Sequence, residues 1–307
     1  MRREFTAMRL VPRTMLPRQR VFIAEAYEGH FPNADYPDYD AFLAAQGESI
    51  KSEPRTRVAL LRRRKNASPE PTTHSFVLKI YRYPLLPRIR TGFRISKAEQ
   101  EFNSLRYVNE QGVAAAEPVA FGVERTRLGF VRSCFVITSF VEGAVNLSRW
   151  RSANAQNKLP AEEMNHALLR QVGAMFHRLH KIRFFLFTAK TKNLLLRENG
   201  STAPEILFID IPYARTLRWQ PVARWAQRRD LGVSLGNFWP ALTESEMASF
   251  YQGYLPDPLG GSPTVLQRAV RRAMRAKQNL TPISALIHGF KRTVRKKLTA
   301  KETPESR

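Results

Sequence analysis

Phe76-Val-Leu-Lys79-Ile-Tyr81 is the stretch on which the fold turns. Apolar on both sides of its one lysine, it reads as a β-strand, extended by its flanks to Ser75–Tyr83. A lysine inside such a strand is costly to desolvate unless a partner meets it. Taken alone, Lys79 reads most simply as an edge-strand side chain that reaches water along its stem. The next helix changes that reading. It runs from Lys97 to Gln111, with Ser96 as N-cap, Glu99 as the capping-box partner and Gly112 as the C-terminal stop. Glu99 is accounted for by capping. Glu101 instead opens the stripe Glu101, Leu105, Val108, so its carboxylate lies on the face that packs inward. A strand lysine and an inward glutamate 22 positions later can pair as buried ions.

Further on, Leu186-Phe-Thr188-Ala-Lys190-Thr-Lys-Asn193-Leu-Leu-Leu196 leads towards Leu207-Phe-Ile-Asp210. Asn193–Arg197 and Ile206–Ile209 read as short strands joined by a turn containing Asn199-Gly200. Each residue has an ordinary reading by itself: Asn193 as a turn asparagine, Asp210 as a strand-terminating turn residue. Together with Lys79 and Glu101 they stand in the order used by protein kinases. There the Lys–Glu pair holds the α- and β-phosphates of ATP, while Asn and Asp hold Mg²⁺. Lys79, Glu101, Asn193 and Asp210 are thus the candidate nucleotide site, with Asn193 and Asp210 as metal ligands. Lys190, three residues before Asn193, falls where many kinases place a lysine on the transferred phosphate.

Outward from these motifs, strands come first and helices later. Arg57–Arg62, Pro118–Gly122 and Gly129–Val141 read as strands, and Arg63–Thr73 as a basic turn. After Glu142-Gly143 a polar stretch leads to a helix over about 161–181, with Leu168, Leu169, Val172 and Phe176 on one face. The expectation is an α+β, bilobal protein-kinase-like fold with a β-rich N-lobe and an α-rich C-lobe. Its parts are an irregular wrapping segment at 1–45, an N-lobe at 46–143, a C-lobe at 144–260 and a basic tail at 261–307.

The ordered set Lys79, Glu101-Phe-Asn-Ser-Leu105, Gly112-Val113, Leu179-His180, Asn193-Leu-Leu-Leu196 and Ile209-Asp-Ile-Pro-Tyr-Ala-Arg215 resembles the bacterial Kdo and heptose lipopolysaccharide kinase family. Arg229-Asp230-Leu231 is similar to that family's later helix, where an aspartate braces the catalytic loop. The resemblance spans roughly residues 45–255. It implies transfer of phosphate from ATP, with Mg, onto a heptose or Kdo of the lipopolysaccharide core. It also implies a cytoplasmic protein, peripheral on the inner membrane, whose partner is lipopolysaccharide core or another anionic glycolipid.

Two departures stand out. The family's His-x-Asp becomes Leu186-Phe187-Thr188, so Thr188 occupies the position of the catalytic Asp; no acidic residue lies between Glu163 and Glu198. The glycine-rich phosphate loop is also absent, Gly47 being the only glycine between Gly29 and Gly92. A general base contributes about 10²–10⁴-fold. Phosphoryl transfer depends mostly on positioning and charge stabilisation, for which Lys79, Asn193 and Asp210 remain. Two functions therefore stand open: a core-sugar kinase with Thr188 and Lys190 at the catalytic positions, or a pseudokinase acting as a membrane-associated regulatory or scaffold protein in envelope biogenesis.

Composition agrees with an anionic partner. A net charge of +24 points to nucleic acid, anionic membrane or phosphorylated glycolipid, without choosing among them. No zinc, RRM-type or helix-turn-helix signature supports nucleic acid, which is not expected. Cys134 is the only cysteine and sits in an apolar run, which reads as a core thiol and excludes an intrachain disulfide. The N-terminus carries six arginines by residue 20 but no signal-peptide apolar stretch, and no segment is long enough to span a membrane. In the tail, Ile283, Leu286, Ile287, Phe290, Val294 and Leu298 recur at helical spacing among five Lys and Arg. That pattern fits a helix on an anionic membrane surface, or one docked on the large lobe with its charges solvated.

Overall fold

The computed structural model describes residues 18–31, 38–64, 73–84, 88–89, 91, 94–147, 149–150, 160–187, 190–197, 204–238 and 242–274. Thr188, the Asn199-Gly200 turn and the 283–298 stretch lie outside the described residues. The chain forms two compact units, Met1–Met164 with Lys192–Arg215, and Asn165–Thr191 with Thr216–Arg307. The first is rich in strands and the second in helices, as the sequence led us to expect.

In the first unit a six-stranded antiparallel sheet has the order β1-β5-β6-β4-β3-β2. Its strands are β1 (Arg18–Ile23), β2 (Glu48–Glu53), β3 (Thr56–Arg64), β4 (Thr73–Arg82), β5 (Pro118–Arg125) and β6 (Val131–Ser139). The strand carrying Lys79, β4, is an interior strand, hydrogen-bonded to β3 on one side and β6 on the other. An edge-strand escape to water is therefore closed to Lys79. Alternation on β4 sorts the side chains: Phe76, Leu78 and Ile80 enter a core with Leu61, Phe135, Ile137, Tyr39 and Phe42. Tyr81 points to the opposite face, into a second core with Ala98, Phe102, Phe121, Cys134 and Val136. Helix α1 (Tyr39–Ala44) supplies the first core, and α2 (Lys97–Glu110) covers the second.

Local chemistry fixes α2. Ser96 Oγ accepts the Glu99 N–H at 3.1 Å, and the chain leaves the helix through Gly112 at φ 71°, a left-handed conformation that glycine adopts without strain. Its inward stripe of Ala98, Glu101, Phe102, Leu105 and Val108 is buried. Cys134 is fully buried, and burial pushes its thiol up to about 11, as befits a core residue.

Two sequence expectations need correction. The segment 1–45 is not simply a wrapping segment: β1 pairs with β5 along Arg18–Ile23, and Tyr39–Ala44 is helical. The strand escapes period-two reading because both of its faces are covered. Val21 and Ile23 enter the first core, while Phe22 packs on Phe102 and Phe121. The boundary near 143 also shifts. Strands β8 (Leu194–Arg197) and β9 (Glu205–Phe208) belong to the first unit, where β8 pairs with β7 (Ala144–Asn146). Phe208 anchors them further, donating its N–H to Ala114 O and accepting from Ala116 N–H.

The second unit contains α3 (Pro160–Lys181) for most of its length, α4 (Gln220–Phe238) and α5 (Glu244–Tyr254), followed by a helical stretch at 263–274. Leu168, Leu169, Val172 and Phe176 are fully buried on α3. Among the described residues, no helix is long and apolar enough to cross a membrane. Helices α3 and α5 meet through glycine: a Cβ on Gly253 would run into the Arg170 carbonyl, and one on Gly173 into that of Phe250. Gly253→Ala is accordingly expected to cost about 1–3 kcal/mol, seen as a lower midpoint in thermal unfolding. An unchanged midpoint would contradict this backbone contact.

Candidate functional site

The first unit brings four of the expected residues together. Lys79 Nζ lies 2.7 Å from Glu101 Oε1 and 3.4 Å from Asp210 Oδ1. Glu101 has no exposed surface, so water cannot stabilise its charge. Its second oxygen accepts the Tyr81 hydroxyl at 2.9 Å. Burial pulls the Lys79 ammonium down, but the Glu101 and Asp210 carboxylates outweigh it and hold its pKa above the ordinary lysine value. Lys79 thus stays cationic at neutral pH. Burial, reinforced by the charges of Glu101 and Asp210, pushes the Tyr81 phenol well up, so it remains a donor.

Asn193 and Asp210 are joined through the backbone. Asn193 Nδ2 donates to the Asp210 carbonyl at 3.0 Å, and Ile209 N–H donates to the Asn193 carbonyl at 2.8 Å. Asp210 stands at φ 56°, a left-handed conformation that aspartate tolerates better than most residues. These bonds hold the turn that aims its carboxylate at Lys79. The Asp210 side chain is 35% exposed, whereas Glu101 is sealed. One carboxylate is structural in its setting; the other faces solvent.

Tyr81 was missed by the sequence reading, although the strand period places it two residues from Lys79 on the same face. Above its ring, 4.2 Å from the centroid, sits the Lys97 ammonium, which also lies 5.6 Å from the Tyr213 ring. Gln100 Nε2 donates to the Ala214 carbonyl at 3.4 Å. Through these contacts the first turns of α2 hold the segment that follows Asp210.

In the second unit, Asp230 on α4 is fully buried and accepts the backbone N–H groups of Leu186 at 2.6 Å and Phe187 at 2.7 Å. Phe187 adopts φ 58°, and these two bonds hold it there. Phe187 immediately precedes Thr188. His180 Nε2 approaches Asp230 at 3.5 Å, and His180 Nδ1 meets the Tyr254 hydroxyl at 2.8 Å. That hydroxyl also accepts from Gln227 Nε2 at 2.8 Å, so Gln227, Tyr254, His180 and Asp230 form one chain of buried polar contacts. Nothing in the spacing of His180, Tyr254 and Gln227 revealed this chain of bonds, because it joins three separate helical or loop segments. Lys190 is an exposed residue of this unit.

Among the described residues, no group of three or more His, Cys, Asp or Glu side chains could hold a metal by itself. An aspartate and an asparagine amide, both oxygen ligands, suit a hard cation that keeps waters and completes its shell on phosphate oxygens. That chemistry fits Mg²⁺ bound together with a nucleotide.

The sequence pattern of the lipopolysaccharide kinase (Kdo/WaaP) family matches residues 41–254. A solved structure described as WaaP in complex with acyl carrier protein is similar in fold, with a TM-score of 0.61 and 20% sequence identity. The similarity covers 84% of this chain and 98% of that one. No curated protein sequence matches. With a kinase-like bilobal fold and a family match over most of its length, the chain belongs to the lipopolysaccharide kinase (Kdo/WaaP) family.

Proposed function

We propose that this protein transfers the γ-phosphate of ATP to a hydroxyl of a heptose or Kdo in the lipopolysaccharide core, from the cytoplasmic face of the inner membrane. The observation that carries the reading is the Lys79 ammonium set between a sealed carboxylate, Glu101 at 2.7 Å, and a partly exposed one, Asp210 at 3.4 Å. A lysine that only stabilised the fold would need just the first.

In this reading Glu101 and Tyr81 fix the Lys79 side chain so that its remaining N–H can meet the α- and β-phosphates. Asp210 and Asn193 would hold Mg²⁺, which supplies charge neutralisation for the transferring group when bound. Lys190 would contact the transferred phosphate. Thr188 would stand beside the acceptor hydroxyl but accepts no proton usefully near neutral pH. Rate enhancement would then come from orientation and charge alone. The acceptor would be lipopolysaccharide core or another anionic glycolipid.

A second reading, a pseudokinase serving as a membrane-associated regulatory or scaffold protein, is favoured by one observation: no acidic residue lies between Glu163 and Glu198 to act as base. Two experiments separate the readings. Phosphate transfer from Mg-ATP, assayed against several lipopolysaccharide cores, should be measurable in wild type and vanish in Lys79→Ala and Asp210→Ala. Turnover that survives both substitutions would remove the proposed site. Thr188→Asp places a carboxylate where the base belongs, and turnover should rise by up to about 10²–10⁴-fold. No turnover in either form across all cores, with ATP bound, would favour the scaffold.

A further inference from the structure

The second unit carries an exposed surface that the proposed chemistry does not use. Around the start of α4, Arg218, Trp219, Pro221, Trp225, Arg228 and Arg229 are all exposed, Trp219 at 70% and Trp225 at 54%. Pro221, Trp225, Arg228 and Arg229 follow helical spacing on α4 and share one face, while Arg218 and Trp219 lie in the chain just before the helix. The opposite side of the same turns is committed to the interior. Ala223 and Ala226 are buried against Phe185 and Leu259, and Gln227 and Asp230 are buried in the bonds described above. This face therefore points away from the core of its own unit.

Its chemistry is one-sided. Residues 218–229 contain four arginines and no acidic residue; between Asp210 and Glu244 the only acid is Asp230, which is buried. The Arg229 guanidinium sits 5.5 Å from the Trp225 ring centroid, and the Phe187 ring centroid lies 6.3 Å from it. Two exposed indoles are expensive to leave in water. Indoles flanked by guanidinium groups match the headgroup level of a bilayer, where the ring enters the acyl boundary and the cations meet lipid phosphates. The helical part of the face, Pro221 to Arg229, is about 12 Å long at 1.5 Å per residue and lies along one side of α4. Nucleic acid would instead call for a basic groove with aromatic stacking platforms.

We infer that the Arg218–Arg229 face seats the protein on an anionic bilayer, with Trp219 and Trp225 in the headgroup region and Arg218, Arg228 and Arg229 on lipid phosphates. The inference deepens the membrane location in the reading above, and rests on it for which side of the membrane is met. Because Trp225 packs on Phe187, next to Thr188, seating this face would bring the loop before the proposed acceptor position to the lipid surface. A lipid-borne sugar would then be met where it is displayed.

The test uses the full chain and no ATP. Vesicles of phosphatidylcholine with roughly one-third phosphatidylglycerol, their acyl chains brominated near the glycerol, should quench tryptophan fluorescence on binding. Trp219→Phe with Trp225→Phe should abolish most of that quenching. Arg218→Glu, Arg228→Glu and Arg229→Glu together should weaken vesicle affinity by roughly a hundredfold, and added salt should weaken wild type steeply. All these side chains are exposed, so an unchanged thermal midpoint will show that the variants fold. Quenching that persists in the tryptophan variant would overturn the assignment. So would wild-type affinity in the charge variant, or binding of RNA or an acidic polypeptide without binding of vesicles. Vesicle binding with the expected quenching supports the face whether or not ATP binds, which separates its fate from that of the nucleotide site.

Discussion

A carboxylate with no exposed surface keeps its charge only if its partners replace the water it has lost, and Glu101 is in that position. Two partners do so, the Lys79 ammonium at 2.7 Å and the Tyr81 hydroxyl at 2.9 Å. Both come from one face of β4, so the pair fixes how α2 lies on the sheet. Phe102, one residue on, packs into the second core beside Phe121 and Phe22. Removing either ion would leave the other buried against an uncompensated partner, a loss of about 3–5 kcal/mol in comparable pairs. Lys79 then reaches Asp210, whose backbone is held by Asn193. Sheet, helix and the turn at Asp210 are thereby joined through one ammonium.

The second unit holds its loop by different means. Asp230 gives both carboxylate oxygens to backbone N–H groups, Oδ2 to Leu186 and Oδ1 to Phe187. Charge-assisted bonds of this kind are about twice as strong as neutral ones, which is enough to maintain Phe187 at positive φ. The residue after it in the chain is Thr188. Asp230 thereby fixes the backbone of Leu186 and Phe187 on the described side of that point.

Much of this was legible in the sequence, for identifiable reasons. Lys79 and Glu101 could be read because a charge inside an apolar strand, or on an apolar helix stripe, is a conflict that only pairing resolves. The α2 cap and stop were legible because Ser96 and Gly112 act through local geometry. Asp230 was found only by resemblance, since its partners are backbone groups 43 and 44 positions away. Strand β1 was missed because burial on both faces erases alternation, and β2 because all six of its residues are exposed. The exposed tryptophans could not be read either. A tryptophan beside arginines has the same letters whether its ring is packed or bare, and only the folded helix shows which face is left over.

The central claim is that Lys79, Asn193 and Asp210 form one Mg-nucleotide site. Calorimetric titration of Mg-ATP into wild type, Lys79→Ala and Asp210→Ala, with and without Mg, tests it most directly. The account predicts Mg-dependent binding by wild type and a loss of roughly tenfold or more in each variant, as expected when one charge-assisted contact is removed. Equal titrations for all three proteins, or affinity indifferent to Mg, would contradict it.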